Sequence, residues 1–365
     1  MKHPPKPYPL LILLLLLMPG TGRSWAKDTV RIAFLGDIMM HQAQLDAARI
    51  PGADPALSSS YDFLSYFRNI HPLLEKADLV VANLECTLES VPYSGYPCFS
   101  APASLLLQAQ KNGIDLFLCA NNHIVDKGRK GLENTVHTFE QHQAAFTGCY
   151  RDSSDLLARD PYIIELKGQR LAFINFTYGT NGIPVPSPWI INRLDSSSIT
   201  GSLQRAKAQQ ADWIIALPHW GEEYRLTPSG AQEQWARWLH EQGVRIIIGS
   251  HPHVVQPLQE SHDGYGRQQL CWYSLGNAIS NMSQENTRTG FLVEIALTRD
   301  LLGRLVIADY RTIWLWCSRA GGYEKGYTIL PIEDFLGKRT AFLNPADYDR
   351  MVQEYKRIKP IIEEQ

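Results

Sequence analysis

Two histidines one residue apart, His251 and His253, close the stretch Gly249-Ser250-His251-Pro252-His253, which follows the apolar run Val244-Arg245-Ile246-Ile247-Ile248. A buried strand that runs out into an H-x-H turn presents two imidazoles at a sheet edge, the usual way an α/β protein delivers nitrogen ligands to a metal. Four other apolar runs end in similar chemistry: Asp37, then Asn83 with Glu85, then Asn121, Asn122 and His123, then His219. Each has a plainer reading when taken alone. An Asp after Gly caps a turn or helix, a lone strand-end His is a hydrogen-bonded structural residue, and Asn121-Asn122 forms a turn. Five strand ends agreeing in chemistry favour one shared polar site. The donors are oxygen and nitrogen without thiolate, which suits divalent Mn, Fe, Zn or Mg, in one site or in two that share a carboxylate. Two ions about 3.5–4 Å apart can activate a water and clamp both oxygens of an in-line phosphoryl displacement.

The elements that must position these groups read as repeated strand-helix units. Strands are expected at 30–35, 78–82, 114–119, 213–217 and 244–248, each ending at one of the polar clusters. Helices are expected at 63–76, 103–112 (stopped by Gly113), 129–143, 202–210 and 232–241, and a hairpin at 163–176 around Lys167-Gly168-Gln169. Three further strands, near 270–274, 291–297 and 305–314, lack intervening helices and are expected to pair antiparallel. The total predicts an α/β protein with two packed sheets and helices outside. Trp235, Trp238, Trp314 and Trp316 are assigned to the core rather than to sugar stacking, because of their helical and strand spacing. The 348–362 stretch has Met351, Tyr355, Ile358 and Ile362 near helical spacing and is read as a surface helix.

At the N-terminus, Lys2 and Lys6 precede nine consecutive apolar residues, 10–18, and then Ser24-Trp25-Ala26. This reads as a signal peptide, residues 1–26, cleaved after Ala26, with export to the periplasm or cell surface; an uncleaved anchor is the alternative. The domain expected to carry the site spans 27–320, with a C-terminal extension over 321–365 beginning near Gly321-Gly322. A core of 44% apolar composition supports one large domain. The net charge of −2 becomes more acidic once Lys2, Lys6 and Arg23 are lost, and no Lys/Arg cluster appears. No nucleic-acid partner is therefore expected. The six cysteines lack C-x-x-C spacing. Cys86 and Cys98 flank a loop and could form a disulfide, whereas Cys119 and Cys271 read as buried thiols.

The ordered blocks Gly36-Asp37-Ile38-Met39, Asn83-Leu84-Glu85, Ala120-Asn121-Asn122-His123 with Asp126-Lys127-Gly128, His219-Trp220-Gly221-Glu222, Gly249-Ser250-His251-Pro252-His253 and Ser274-Leu275-Gly276-Asn277 resemble the CapA family of capsule and poly-γ-glutamate synthesis proteins. The resemblance covers about residues 30–320. That family is similar in turn to the calcineurin-like metallophosphoesterases, which implies a four-layer αββα sandwich. It also implies Asp37, Glu85, Asn122, His219, His251 and His253 as metal ligands, Glu85 standing where the phosphoesterases carry a bridging Asp. His123 takes the role of the acid that contacts phosphate, and Asn83, Asn121 and Asn277 join the substrate-binding set. One departure is visible: the phosphoesterase opening motif is Asp-x-His, and here Met39 follows Asp37, a soft thioether in place of an imidazole. His41 lies further along. Glu222, Glu223 and Tyr224 either line a substrate groove beside His219 or start a solvated helix.

Two functions follow. The first is a secreted metal-dependent hydrolase acting on a phosphoester or amide bond during assembly of an envelope polymer. The second is a noncatalytic envelope protein that binds or guides an anionic polymer such as poly-γ-glutamate; under either reading it works alone or beside a membrane polymer-synthesis complex. A purely structural module is disfavoured, because buried polar groups at so many strand ends cost stability without a ligand.

Overall fold

The computed structural model describes residues 28–364. The expected signal peptide lies outside them. Among the described residues, no helix is long and apolar enough to cross a membrane.

One sheet is built on β1 (Val30–Ile38), β2 (Leu79–Leu84), β3 (Leu116–Leu118) and β4 (Ala145–Thr147), which pair in parallel in that order. The second contains the hairpin of β5 (Tyr162–Leu166) and β6 (Gln169–Thr177), with β7 (Trp213–His219) and β8 (Ile246–Ile248) added in parallel beside β6. Crossover helices α1 (Ala103–Lys111), α2 (Gly128–Gln141), α3 (Ser196–Ala208) and α4 (Gly230–Glu241) return the chain between parallel strands.

Side-chain alternation makes the layers. Val30, Ile32 and Phe34 of β1 meet Leu171, Phe173, Trp213, Ile215 and Leu217 in the core between the sheets. The opposite faces carry Ala33 and Leu35 under α1 and α2, and Ala172, Ile174 and Ala216 under α3 and α4. Period-two strands with both faces apolar are what a doubly covered sheet requires. The result is the four-layer αββα sandwich that the resemblance implied.

Two expectations change. The 63–76 segment forms two short helices, Leu64–Arg68 and His71–Leu74, because Pro72 supplies no N–H and suits only a first turn. Chain 258–272 is not a simple antiparallel addition. The strand β9 (Leu258–His262), unmarked in the sequence reading, runs along the edge and reverses, so that β10 (Gln268–Trp272) lies parallel to β8 and antiparallel to β9. Its burial pattern is half open and its residues are Leu-Gln-Glu-Ser-His, which is why no apolar run announces it. The expected pairing of 291–297 with 305–314 is found in β12 (Thr289–Arg299) and β13 (Leu305–Ser318), which pair antiparallel; β12 also lies antiparallel to β1, while the short β11 (Asn277–Ile279) pairs parallel with β1.

Residues from 321 onward join the same sandwich. β14 (Thr328–Pro331) is the edge strand beyond β13, and α5 (Pro345–Glu363) buries Met351, Tyr355, Ile358 and Ile362 in the central core. Trp314 and Trp316 are buried there, and Trp235 and Trp238 lie half-buried against the α3/α4 side. All six cysteines are free thiols, Cys86 and Cys98 included.

Candidate metal centre

Strand parity aims the donors at a single point. On β2, Leu79 and Val81 face the middle of the sandwich, so Asn83 and, beyond the strand, Glu85 continue on that side; Trp213, Ile215 and Leu217 do the same for His219. On β1 the parity would send Asp37 the wrong way, but a register shift between Leu35 and Asp37 sets Asp37 opposite Asn83. The shift passes through Gly36, where an added Cβ would stand 2.0 Å from the Gly276 carbonyl oxygen. Only glycine permits that bulge. The H-x-H turn is strained, with φ of 98° at His251 and 59° at His253, a conformation that L side chains avoid and that gathers at functional sites.

Asp37, Glu85, Asn122, His219, His251 and His253 come together, all buried. His219 Nε2 lies 2.9 Å from Asn122 Oδ1 and 3.6 Å from Glu85 Oε1. His253 Nε2 lies 3.7 Å from Glu85 Oε1, and its Nδ1 faces Asn277 Oδ1 at 3.1 Å and Asp37 Oδ2 at 3.3 Å. Two sets of three possible ligand atoms, each within 4.8 Å of one another, share one residue: Glu85 with His251 and His253, and Glu85 with Asp37 and His219.

The electrostatics are unresolved within the protein. Burial, reinforced by the Asp37 carboxylate, holds Glu85 well above the usual carboxylate range. Burial and the neighbouring imidazoles hold His219 and His251 well below the ordinary histidine value. The close approach of His219 to Glu85 is therefore not a charged pair, since desolvation outweighs their attraction. Glu85 Oε1 and His251 Nδ1 are buried with no hydrogen-bond partner. Orphaned polar atoms on a carboxylate and an imidazole that belong to one ligand triad are what a divalent cation satisfies. The residues fit such an ion.

A supporting layer fixes the donors. Ser250 Oγ stands 2.9 Å from His219 Nδ1, leaving Nε2 for the centre. Asn83 Nδ2 donates to Asp37 Oδ1 at 2.7 Å, Asn121 Nδ2 donates to Asn83 Oδ1 at 3.2 Å and to the Leu84 carbonyl at 2.9 Å, and Asn277 Nδ2 donates to the carbonyls of His253 and Thr287. Asn83, Asn121 and Asn277 are thus interior braces of the ligands. His123 is held by Asp126 Oδ2 at 2.8 Å from its Nδ1 and by the edge of the Phe99 ring.

Tyr224 lies at the mouth, its ring 6.4 Å from that of His253 and its N–H donating to the Pro252 carbonyl. Glu222 is turned away, exposed and paired with Arg225 at 2.6 Å; Glu223 instead is the neighbour whose charge reaches Glu85. Met39 is buried in the outer core and offers nothing to the centre. His41 does not replace it in the ligand sets: its Nδ1 accepts from the Asn281 N–H at 3.2 Å. Unmarked in the sequence reading were Ser250 as orienter, Tyr178, whose ring lies 4.5 Å from that of His251, and Asn181, which accepts from Asn122. Ser250 stands inside the H-x-H block; Tyr178 and Asn181 lie just beyond the end of β6, whose exit carries no carboxylate or histidine.

Residues 31–282 match the model of the family described as bacterial capsule synthesis protein PGA_cap. The chain belongs to that family. Among PGA_cap relatives, it is 27% identical over 297 residues to the PGA biosynthesis protein CapA of Bacillus subtilis (strain 168), spanning 78% of this chain and 72% of that one. It is 26% identical over 308 residues to the capsule biosynthesis protein CapA of Bacillus anthracis, spanning 79% and 71%. Among solved structures, the NAD nucleotidase (NadN) of Haemophilus influenzae is similar at a TM-score of 0.49 and 12% identity, over 91% of this chain and 68% of that one. The PGA_cap match contains every proposed ligand and ends before β12, so β12, β13, β14 and α5 lie outside it.

Proposed function

We propose that this chain is an exported, divalent-metal-dependent hydrolase that acts on a phosphoester or amide bond during assembly of an anionic capsule polymer of the poly-γ-glutamate type, alongside a membrane synthase. The observation that carries this reading is Glu85, a buried carboxylate with an orphaned oxygen, shared by two ligand triads. Asp37, Glu85, Asn122, His219, His251 and His253 would hold the metal. A divalent ion there supplies Lewis acidity and a water of lowered pKa. The chain's own contributions are separate. Asn83 and Asn277 orient Asp37 and His253, Ser250 sets the His219 tautomer, and the buried walls exclude bulk water. His123, oriented by Asp126, is the group to protonate the leaving atom or hold an oxyanion.

The second reading, a noncatalytic protein that binds or guides the polymer, draws on Met39: its side chain belongs to the core, so one first-motif ligand position has no counterpart. Elemental analysis of the purified protein, followed by phosphodiesterase turnover with and without Mn, separates the two. The hydrolase reading expects bound divalent metal, metal-dependent turnover, and loss of both in His253→Ala by at least about 100-fold in metal affinity. Metal-free protein that still supports capsule assembly sinks it.

A further inference from the structure

The C-terminal part of the chain, beyond the PGA_cap match, builds a second polar cleft of about 400 Å³ between loop 282–288 and α5. Arg288, Arg319, Arg350 and Arg357 all line it. Two of the four are committed to the protein. Arg288 is buried, donates to the Cys317 carbonyl and pairs with Asp347; Arg357 pairs with Glu285 at 2.9 Å and donates to Asn286. The remaining acid, Glu354, is buried and accepts from Thr289 Oγ1 at 2.7 Å. Among the described residues, neither Arg319 nor Arg350 has an ion-pair partner. Arg319 spends its Nη2 on the carbonyls of Asn281 and Met282, while its buried Nε has no acceptor. Burial, with Arg288 and Arg350 close by, pushes the Arg319 guanidinium below its ordinary value. Cations held near one another with a donor unspent are relieved by an anion.

The loop that walls the cleft reaches the metal centre: the Thr287 carbonyl accepts from Asn277 Nδ2 at 2.9 Å, and Asn277 Oδ1 faces His253 Nδ1 at 3.1 Å. Arg319 holds the Asn281 carbonyl, and the Asn281 N–H donates to His41 Nδ1. By contrast the mouth of the metal centre carries Tyr178, Tyr224 and Glu223.

We infer that Arg319 and Arg350 form an anion-binding site that takes carboxylates of an acidic chain, holding it beside the metal centre. The identity of the acidic chain rests on the polymer reading above; the anion site itself does not.

The test is binding of a short γ-linked glutamate oligomer to the full chain, read by calorimetry, with inorganic phosphate as a second probe. Arg350→Glu, on an exposed helix face, is expected to weaken oligomer binding about tenfold, and Arg319→Gln with Arg350→Gln about a hundredfold, each with a shallower salt dependence and unchanged metal content. Because Arg319 also braces a loop, Arg350→Glu alone decides the matter if the double variant fails to fold. Oligomer affinity indifferent to Arg350→Glu overturns the site, as does equal affinity for phosphate, which would make it a small-anion pocket. Arginine-dependent oligomer binding in a protein that holds no metal would end the hydrolase reading and leave this one standing.

Discussion

The two ends of the parallel strands carry the same kinds of residue and treat them oppositely. At the entry ends, Asp78, Asp115 and Asp212 each precede a strand and accept from a backbone N–H of the strand beside it: Arg31 at 2.8 Å, Val80 at 2.8 Å and Arg170 at 2.9 Å. Each carboxylate closes the ladder where it begins. At the exit ends, Asp37 and Glu85 face histidines and each other, and Glu85 Oε1 and His251 Nδ1 meet no donor or acceptor at all. A carboxylate that completes the backbone's hydrogen bonding stabilises the fold. One left facing other buried ionisable groups destabilises it until a cation arrives.

That contrast can be broken most forcefully at Glu85. Glu85→Gln removes the shared ligand, and metal affinity is expected to fall by at least about 100-fold. The metal-free variant should nevertheless be more stable than metal-free wild type, by about 1–2 kcal/mol in urea denaturation at neutral pH, because the amide is buried neutral without the proton uptake that burial imposes on Glu85. Equal destabilisation of both forms would show that Glu85 is an ordinary structural carboxylate. At the opposite end, Asp212→Ala takes the acceptor from the Arg170 N–H and the partner from Arg299, which stands 3.0 Å away. The expected loss is about 1–2 kcal/mol, with metal content untouched. If Asp212→Ala changed metal content, the two ends would not be independent.

The contrast also explains what could be read from the sequence. Asp37, Glu85, Asn122, His219, His251 and His253 were legible because each follows a short apolar run, and parallel strands in one sandwich bring their exits together. The layers were legible because both faces of β1, β6 and β7 are apolar in alternation. What the residues touch was not. Asn83 and Asn277 carry the same amide as Asn122, and only the register of β1 against β2 and β11 turns them into braces. Glu222 and Glu223 are adjacent, and no pattern says which one pairs with Arg225. Ser250 becomes an orienter only through the bridge between the His219 and Ser250 backbones. Segment 321–365 reads as separable, yet β14 pairs with β13 and the apolar face of α5 enters the central core.

The smallest test compares histidines at the two ends. His240 sits at the entry end, in the last turn of α4, with Nδ1 2.8 Å from the Val244 carbonyl and Nε2 buried without a partner. Burial, opposed by the Val244 carbonyl, holds its pKa below 6.5. The folded state therefore keeps it neutral while the unfolded chain takes up a proton near 6.5. Its contribution to stability is complete above that pH and is lost as pH falls from 6.5 through the folded value. His240→Asn puts an amide donor where the Nδ1–H stands and removes the titration, so stability should fall less steeply with acid. His219 and His251 at the exit end are pushed in the same direction. In metal-free protein their share of the slope should remain after the His240 share is gone. If His240→Asn abolished the slope entirely, the exit histidines would not be held neutral, and the case for a ready set of metal ligands would weaken with them.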